Sequence, residues 1–464
     1  MRLDFVSLFG LLIAIAGFTF AGLAPQWTAF GVLVMTTLVA IFFRSLFHPA
    51  LFLGVALTFI LLLGGLNLSN YRGSVSDETF AYILRCITIL SGSASLVSLF
   101  TLSLKRRQPR KPLLPHWAII ASLLPAIAGV MWIVSTVGIP LFNPNARFAA
   151  DPKALFLAEM GCATASLMAL RYYMAGRFSA FDWLILAGVA VFLLIPGYRN
   201  WLIVAILVNI VGLVRMEALK VRVIPAAISL ALALGFLGAM SEFRRAVSSE
   251  LLTADQSMLQ YKVQYLPSTL AQLHFGLRES IALTGRLIEE GIDFSGKTVF
   301  FADILTMLPG TRTSGGRILA DAFGAVLKGG LTPGLVGVWT VEFGVTLCFA
   351  GFALCGAFAG TLWRLSGRGG RPEIAILYGY FSVNFLLLFH RGILKPSMVW
   401  VPLYFLIIVL LLRAMRPQRY SAMQPEMPPQ TVAASAAGSK MLVTCGTLLP
   451  VALGWSRSVP GETR

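Results

Sequence analysis

Five arginines stand close to the ends of long apolar segments, in a chain that has few charges near those segments. On the topology derived below, they fall on the membrane face that is normally poor in basic residues. A guanidinium can donate paired hydrogen bonds to phosphate or carboxylate oxygens, so we expect these side chains to bind an anion such as pyrophosphate or an acidic sugar. The five are Arg147, Arg199, Arg312, Arg317 and Arg391.

Two of these arginines have a structural alternative. Arg199 lies in a tight hairpin between two apolar segments, where it could instead anchor the chain in the membrane interface beside Tyr198 and Trp201. Arg391 ends another apolar segment, and the nearby Lys395 could simply extend its ammonium group towards water. For Arg391, anion binding and a structural role both stay open. For Arg199, a guanidinium at so tight a turn favours contact with phosphate.

Two acidic residues are candidates for proton transfer. Glu342 lies inside an apolar segment, and Asp303 lies in a loop that we place on the same face as the arginines. Acids within a membrane are costly and tend to be functional, and either carboxylate could accept a proton from a substrate hydroxyl. Pairing with an arginine is the alternative for Glu342. No metal site is predicted, because the chain has no Asp-x-Asp sequence and its histidines lack metal-ligand spacing.

The elements that must position these residues are membrane helices. Of the 464 residues, 57% are hydrophobic and only 12% are charged, which is not the composition of a soluble protein. A membrane helix needs about 20 apolar residues, and the chain has about twelve such segments. The net charge of +17 resides largely in short loops between apolar segments, so a nucleic acid partner is not expected.

We therefore predict an all-α polytopic membrane protein with about twelve transmembrane helices and one large extracytoplasmic loop that carries short helices. Residues 1–413 form a single helical bundle, the loop covers about 242–330, and 414–464 form a disordered cytoplasmic tail. The basic loop 105–111 marks the cytoplasmic face and places both termini there. The predicted spans are roughly 5–24, 26–43, 49–67, 80–104, 117–138, 155–170, 180–197, 200–214, 223–241, 333–363, 373–389 and 396–413.

The large loop contains a predicted helix of its own. Residues 270–290 have the apolar spacing of an amphipathic helix that lies on the membrane surface or caps the bundle, although Thr284 interrupts the apolar stripe. Long loops with internal structure are often functional. We expect this loop to contribute to the site.

Three local patterns are interpreted as structural. Residues 291–298 match the phosphate-binding loop pattern GxxxxGK[ST], but they follow a polar helix end and not a strand, so we predict a turn. Gly356 and Gly360 form a GxxxG pattern, which predicts a face for close helix–helix packing. The five cysteines include no CxxC pair, which argues against a disulfide framework or a zinc site.

Several segments resemble the Wzy-type oligosaccharide repeat unit polymerases of bacterial surface polysaccharide assembly. They occur in the family's order and cover about residues 138–395. The family often has Gly-Glu where this chain has Gly337 and Val338, so the acid at Glu342 departs from the pattern. The resembling segments are 138–142 followed by Arg147, then 197–200, 296–310, 331–337, 342–344 and 391–392.

The resemblance implies a glycosyltransferase that uses neither a metal nor a cofactor and acts at the periplasmic face of the bacterial inner membrane. It would move a growing glycan from undecaprenyl pyrophosphate onto a new lipid-linked repeat during exopolysaccharide or O-antigen synthesis. The five arginines would bind the pyrophosphate or an anionic sugar, and Glu342 or Asp303 would serve as the base. A chain-length regulator would be a further partner.

Three other functions stay open. A flippase or transporter of lipid-linked oligosaccharide would also use arginines, but it should place several of them deep in a central cavity. A ligase that passes finished glycan to another acceptor would share the donor and its chemistry. A scaffold without enzymatic activity would tolerate replacement of the arginines.

Overall fold

The computed structural model describes residues 2–69, 71–101, 114–141, 149–219, 268–294, 296–308, 313–324, 331–367 and 371–415. Within these ranges the ordered elements are helices, apart from one short antiparallel pair formed by β1 (Arg2–Leu3) and β2 (Phe100–Thr101). The predicted span 223–241 and nearly all of the predicted tail 414–464 lie outside the described residues.

The helices of the described residues are numbered here in chain order. They are α1 (Phe5–Phe20), α2 (Pro25–Phe42), α3 (Pro49–Gly65), α4 (Asp77–Ser98), α5 (His116–Val137), α6 (Pro152–Glu159), α7 (Gly161–Ala175), α8 (Ala180–Leu194), α9 (Arg199–Arg215), α10 (Ser268–Glu289), α11 (Ala302–Leu305), α12 (Gly315–Ala322), α13 (Leu335–Leu365), α14 (Pro372–Arg391) and α15 (Pro396–Ala414).

Seven helical segments of the described chain are long and apolar enough to cross a membrane, with α6 and α7 counted as one. Four further apolar helices, α1, α3, α8 and α9, are shorter. Hydrophobic side chains cover much of the outward face of the bundle, as expected where lipid is the solvent. The chain is therefore an all-α polytopic membrane protein, as predicted.

The transmembrane helices run between two ends of the bundle. At the end that we call the Arg215 end, the Arg215 guanidinium donates to Ser366 Oγ over 3.0 Å, and an Arg413 nitrogen lies 2.7 Å from a Glu373 oxygen. At the opposite end, called the Arg391 end, α14 stops and α15 starts. There α10 packs against the bundle, and α11 and α12 contribute buried side chains to the same hydrophobic core. The predicted loop helix thus caps the bundle.

The predicted GxxxG face is confirmed. A methyl group placed on Gly360 would lie 2.7 Å from the backbone oxygen of Ala94, and one placed on Gly356 would collide with the backbone of Leu90. These glycines therefore let α13 approach α4 at backbone distance, which is the arrangement that small residues permit in membranes.

The α13 helix bends sharply at Gly344, whose φ of 80° and ψ of 165° are not helical. The Cys348 sulfur lies 3.9 Å from the Val336 oxygen, and the rings of Trp339 and Phe352 are 5.5 Å apart. In a straight helix, residues twelve apart would be separated by about 18 Å along the axis. The first turns of α13 are therefore folded back onto the rest of the helix, which the sequence analysis did not anticipate.

The interrupted stripe of α10 has a physical reason. Thr284 is buried, and its hydroxyl donates to Ser280 O over 2.8 Å and also to Pro333 O. A methyl group on Gly334 would lie 2.8 Å from the same hydroxyl. A small polar residue is needed here because the start of α13 crosses α10 at this position.

Candidate functional site

The Arg391 corner is the turn 391–395, which joins α14 to α15. Gly392 ends α14 with a left-handed φ of 71°, and a methyl group on it would lie 2.6 Å from Gly334 O. Glycine suits both requirements, because it has no side chain and adopts positive φ readily. The turn brings two half-buried cations, Arg391 and Lys395, to one end of the bundle.

Residues 298–303 form a segment that lies against this corner. Leu394 N donates to Phe300 O over 2.9 Å, which ties the segment to the Arg391 corner. On the other side, the Glu342 carboxylate accepts from Val299 N, from Phe300 N over 2.8 Å and from the Thr298 hydroxyl over 3.2 Å. Glu342 therefore anchors the segment onto α13, two residues before the bend.

Asp303 lies at the end of this anchored segment, in the short helix α11. Its Oδ1 accepts from Gly315 N over 3.0 Å, at the start of α12. Its charge acts on both Arg391 and Lys395. Two of the residues singled out from the sequence, Asp303 and Arg391, are therefore brought together by the fold.

Glu159 joins the same cluster from a third direction. It is the last residue of α6, where the helix is interrupted before α7. It interacts electrostatically with Lys395 and Arg391. Glu159 was not among the predicted site residues, although it lies inside the predicted span 155–170 and is, like Glu342, an acid within an apolar segment.

The charge of Lys395 depends on this environment. Burial lowers the pKa of the Lys395 ammonium, and the neighbouring Arg391 lowers that pKa further. The carboxylates of Glu159 and Asp303 oppose this shift, because an opposite charge favours the protonated amine. The two cations and two carboxylates therefore form one electrostatic unit, called here the Arg391 cluster.

The hairpin that carries Arg199 lies beside the same cluster. Arg199 is the first residue of α9, and the preceding Tyr198 acts on the charge of Arg391. Leu141 N donates to Ile195 O over 3.1 Å, so the segment that leads towards Arg147 packs against this hairpin. Arg147 itself lies outside the described residues.

The other two predicted arginines do not add to the described cluster. Arg312 lies outside the described residues. Arg317 lies on α12 with 67% of its side chain exposed, and its guanidinium forms an ion pair with Asp321 over 3.2 Å. Such an exposed pair contributes little to stability.

Arg278 is a fully buried cation that the sequence analysis did not single out. Its guanidinium donates to Leu66 O over 3.1 Å, to Asn67 Oδ1 over 2.7 Å and to Gly73 O over 2.5 Å, with longer bonds to Gly64, Gly65 and Tyr71. Burial lowers its pKa to about 10. Arg278 caps the last carbonyls of α3 and fixes α10 on the bundle.

Other sequence predictions can be checked against the described chain. Residues 291–298 follow the end of α10 and include a turn with no preceding strand, so the rejection of a phosphate-binding loop is confirmed. Among the described residues, no group of histidine, cysteine or acidic side chains could hold a metal ion.

An apolar groove of about 570 Å³ lies between α1 and α2 on the lipid-facing side.

Comparison with known proteins identifies the family. Residues 32–395 match the family described as "Putative O-antigen polymerase", and this match contains the four charged residues of the Arg391 cluster. No curated protein and no solved structure matches the chain. The matched region covers most of the chain, so this membrane protein belongs to the O-antigen polymerase family.

Proposed function

We propose that this protein polymerises lipid-linked oligosaccharide repeats, transferring the growing glycan from undecaprenyl pyrophosphate onto the terminal sugar of a new repeat. Family membership supports glycan polymerisation, and the Arg391 cluster supplies the charges that this chemistry needs. The observation that carries the proposal is the meeting of Arg391, Lys395 and Asp303 at one end of the bundle.

The pyrophosphate is the leaving group, and its negative charge grows as the glycosidic bond breaks. Arg391 and Lys395 would hold its oxygens and stabilise that charge in a half-buried site, where electrostatic interactions are stronger than in water. Arg199 and Arg147 would assist from the neighbouring hairpin and its packed segment, and Arg312 and Arg317 from the loop.

Asp303 is the favoured proton acceptor for the attacking sugar hydroxyl. One of its oxygens is held by Gly315 N, which fixes the carboxylate beside the two cations. The acceptor oxygen would attack the anomeric carbon, its proton would pass to Asp303, and the electron pair of the broken bond would leave on the pyrophosphate. Glu342, the second candidate, would act by anchoring the segment that carries Asp303.

This function also assigns the two ends of the bundle. The Arg391 end would face the periplasm and the Arg215 end the cytoplasm, with both termini cytoplasmic in a bundle of about twelve spans over residues 1–413. The chain would reside in the bacterial inner membrane. The polyprenyl tails would lie among lipid-facing helices, and a chain-length regulator would be a partner.

Analysis of the lipid-linked glycans tests this function in cells that lack the protein and are complemented with variants of it. Arg391→Gln should leave single repeats on their carrier at the outer face, with polymer absent. Arg286→Gln is the matched control, because Arg286 lies at the same end and its guanidinium pairs with Glu290 at the surface over 2.7 Å. Repeats trapped at the cytoplasmic face would instead indicate a flippase, and full-length polymer left on its carrier would indicate a ligase.

A further inference from the structure

Arg85 is a cation inside a helix that is long and apolar enough to cross a membrane. It is half-buried and is the one basic residue of α4. Its Nε is buried without a hydrogen-bond acceptor among the described residues, and no described carboxylate pairs with the guanidinium. A charge at such a position is unfavourable without an opposite charge, and intramembrane charges tend to be functional.

The described neighbours of the Arg85 guanidinium carry no negative charge. A methyl group placed on Gly22 would lie 2.8 Å from its Nη2, and its central carbon lies 5.8 Å from the centre of the Phe18 ring. Phe18 is 42% exposed on the lipid-facing surface. A cation over an aromatic ring recovers only part of the cost of removing the charge from water. An anion that completes this site would therefore come from the lipid phase.

The guanidinium of Arg85 lies towards the Arg391 end of the bundle. α4 begins at that end, because the Thr79 hydroxyl in its first turn donates over 2.7 Å to Glu289, the last residue of α10. Arg85 follows about two turns later, and its Nη2 lies beside Gly22 in the turn that joins α1 to α2. The charge is thus placed where apolar helices end, at the depth of lipid phosphate groups.

Arg85 is also linked to the segment that carries Asp303. Tyr82 lies one turn before Arg85 on α4, and its hydroxyl is 2.8 Å from the Thr340 hydroxyl. Thr340 belongs to the folded-back start of α13, two residues before Glu342, which anchors the Asp303 segment. A lipid held at Arg85 would therefore lie beside the elements that form the proposed reaction site.

Other described cations at the Arg391 end already have partners. Arg278 is surrounded by backbone and side-chain oxygens. Arg286 and Arg317 each pair with a carboxylate, and the Arg72 guanidinium lies 3.6 Å from a carboxylate oxygen. Arg85 differs from these four, because its charge still lacks an anion.

We propose that Arg85 binds the pyrophosphate of the second lipid-linked substrate, the repeat that accepts the growing glycan. This inference rests on the proposed function, because that reaction brings together two carriers and the Arg391 cluster receives only the pyrophosphate that leaves. The acceptor's pyrophosphate keeps its bond to sugar throughout, so it needs a cation that holds it and no stabilisation of a growing charge. The lipid-facing position of Arg85 suits a carrier whose polyprenyl chain stays in the bilayer.

Binding of undecaprenyl pyrophosphate to the purified full-length protein in phosphatidylcholine nanodiscs tests this assignment. The wild type and the matched control Arg286→Gln should each bind two molecules. Arg85→Met should weaken one of the two sites by about tenfold or more, because a charge-assisted contact to phosphate is lost. Arg391→Gln should keep the Arg85 site and weaken the other. A single molecule bound by the wild type, or two sites unchanged in Arg85→Met, would overturn the proposal.

Thermal unfolding without undecaprenyl pyrophosphate separates ligand binding from a structural role. Arg85→Met should be at least as stable as the wild type, because its buried Nε has no described acceptor to lose and a charge leaves the membrane. Arg278→Met should be less stable, because the oxygens around it lose their donor. A loss of stability in Arg85→Met as large as that in Arg278→Met, or failure of Arg85→Met to fold, would assign Arg85 to the fold and overturn the proposal.

Phosphatidylglycerol distinguishes the carrier from an ordinary anionic lipid. It should not displace the second undecaprenyl pyrophosphate at equal concentration, because a phosphodiester carries less negative charge than a pyrophosphate. Displacement at equal concentration would assign Arg85 to bulk phospholipid and overturn the proposal. A wild-type protein that binds no undecaprenyl pyrophosphate would contradict the proposed function, whereas one molecule, lost only in Arg391→Gln, would contradict the role of Arg85 alone.

Discussion

Replacing Glu342 distinguishes two roles of its carboxylate, the anchoring of segment 298–303 and the acceptance of a proton from the substrate. Its carboxylate accepts from the backbone N–H groups of Val299 and Phe300, both of which are buried, and from the Thr298 hydroxyl. Glu342→Ala leaves two buried N–H groups without their acceptor, at about 1–3 kcal/mol each, so the segment 298–303 should lose roughly 2–6 kcal/mol of stabilisation. Glu342→Gln keeps an oxygen for the same two donors and should lose much less.

Polymerisation of a lipid-linked repeat by the purified variants is the assay. If Glu342 is an anchor, Glu342→Gln should retain most of the wild-type rate, while Glu342→Ala should lose activity because Asp303 is no longer held beside Arg391. If Glu342 were the base, both variants should lose roughly 10²–10⁴-fold, since neither side chain accepts a proton. Equal and severe loss in both variants, with Glu342→Gln still folded, would refute the anchor role.

Three further changes test the surrounding structure. Arg278→Met should lower the free energy of unfolding by at least about 3 kcal/mol, because several buried oxygens lose a charged donor, and thermal unfolding in detergent would measure this. Gly344→Ala should cost about 1–3 kcal/mol by forcing a side chain into a backbone conformation that glycine alone adopts readily, with loss of cross-linking between a cysteine placed at 336 and the native Cys348. Arg317→Gln should change stability by about 0.5 kcal/mol or less in the same unfolding measurement, since its pair with Asp321 is exposed.

The positions of the apolar helices were predictable because hydropathy is a local property of the chain. Nearly every apolar helix of the described residues begins and ends within a few residues of a predicted span, and α10 occupies the predicted loop helix. The bend at Gly344 was not predictable in this way. An apolar run on both sides of a glycine has the same hydropathy whether the helix continues or folds back, and here the packing of Trp339 on Phe352 accompanies the bend.

The site was predictable only in part, because its members come from distant parts of the chain. Asp303 and Arg391 were singled out by residue type. Their proximity depends on the backbone hydrogen bond from Leu394 N to Phe300 O, which no local pattern reveals. Arg278 shows the same limit, since the oxygens that surround it come from residues 64–73, some 200 positions earlier.

Reconstitution of the purified protein with a lipid-linked repeat as its only glycan substrate tests polymerase activity and the role of Arg391 together. Wild-type protein should produce a ladder of polymer, releasing one undecaprenyl pyrophosphate for each new glycosidic bond. Arg391→Gln should lower the rate by about 10²-fold or more, because the leaving group loses its stabilising charge, while Arg286→Gln should keep the rate. Folded wild-type protein that made no polymer, or an Arg391→Gln variant that polymerised as fast as the wild type, would contradict the proposed function.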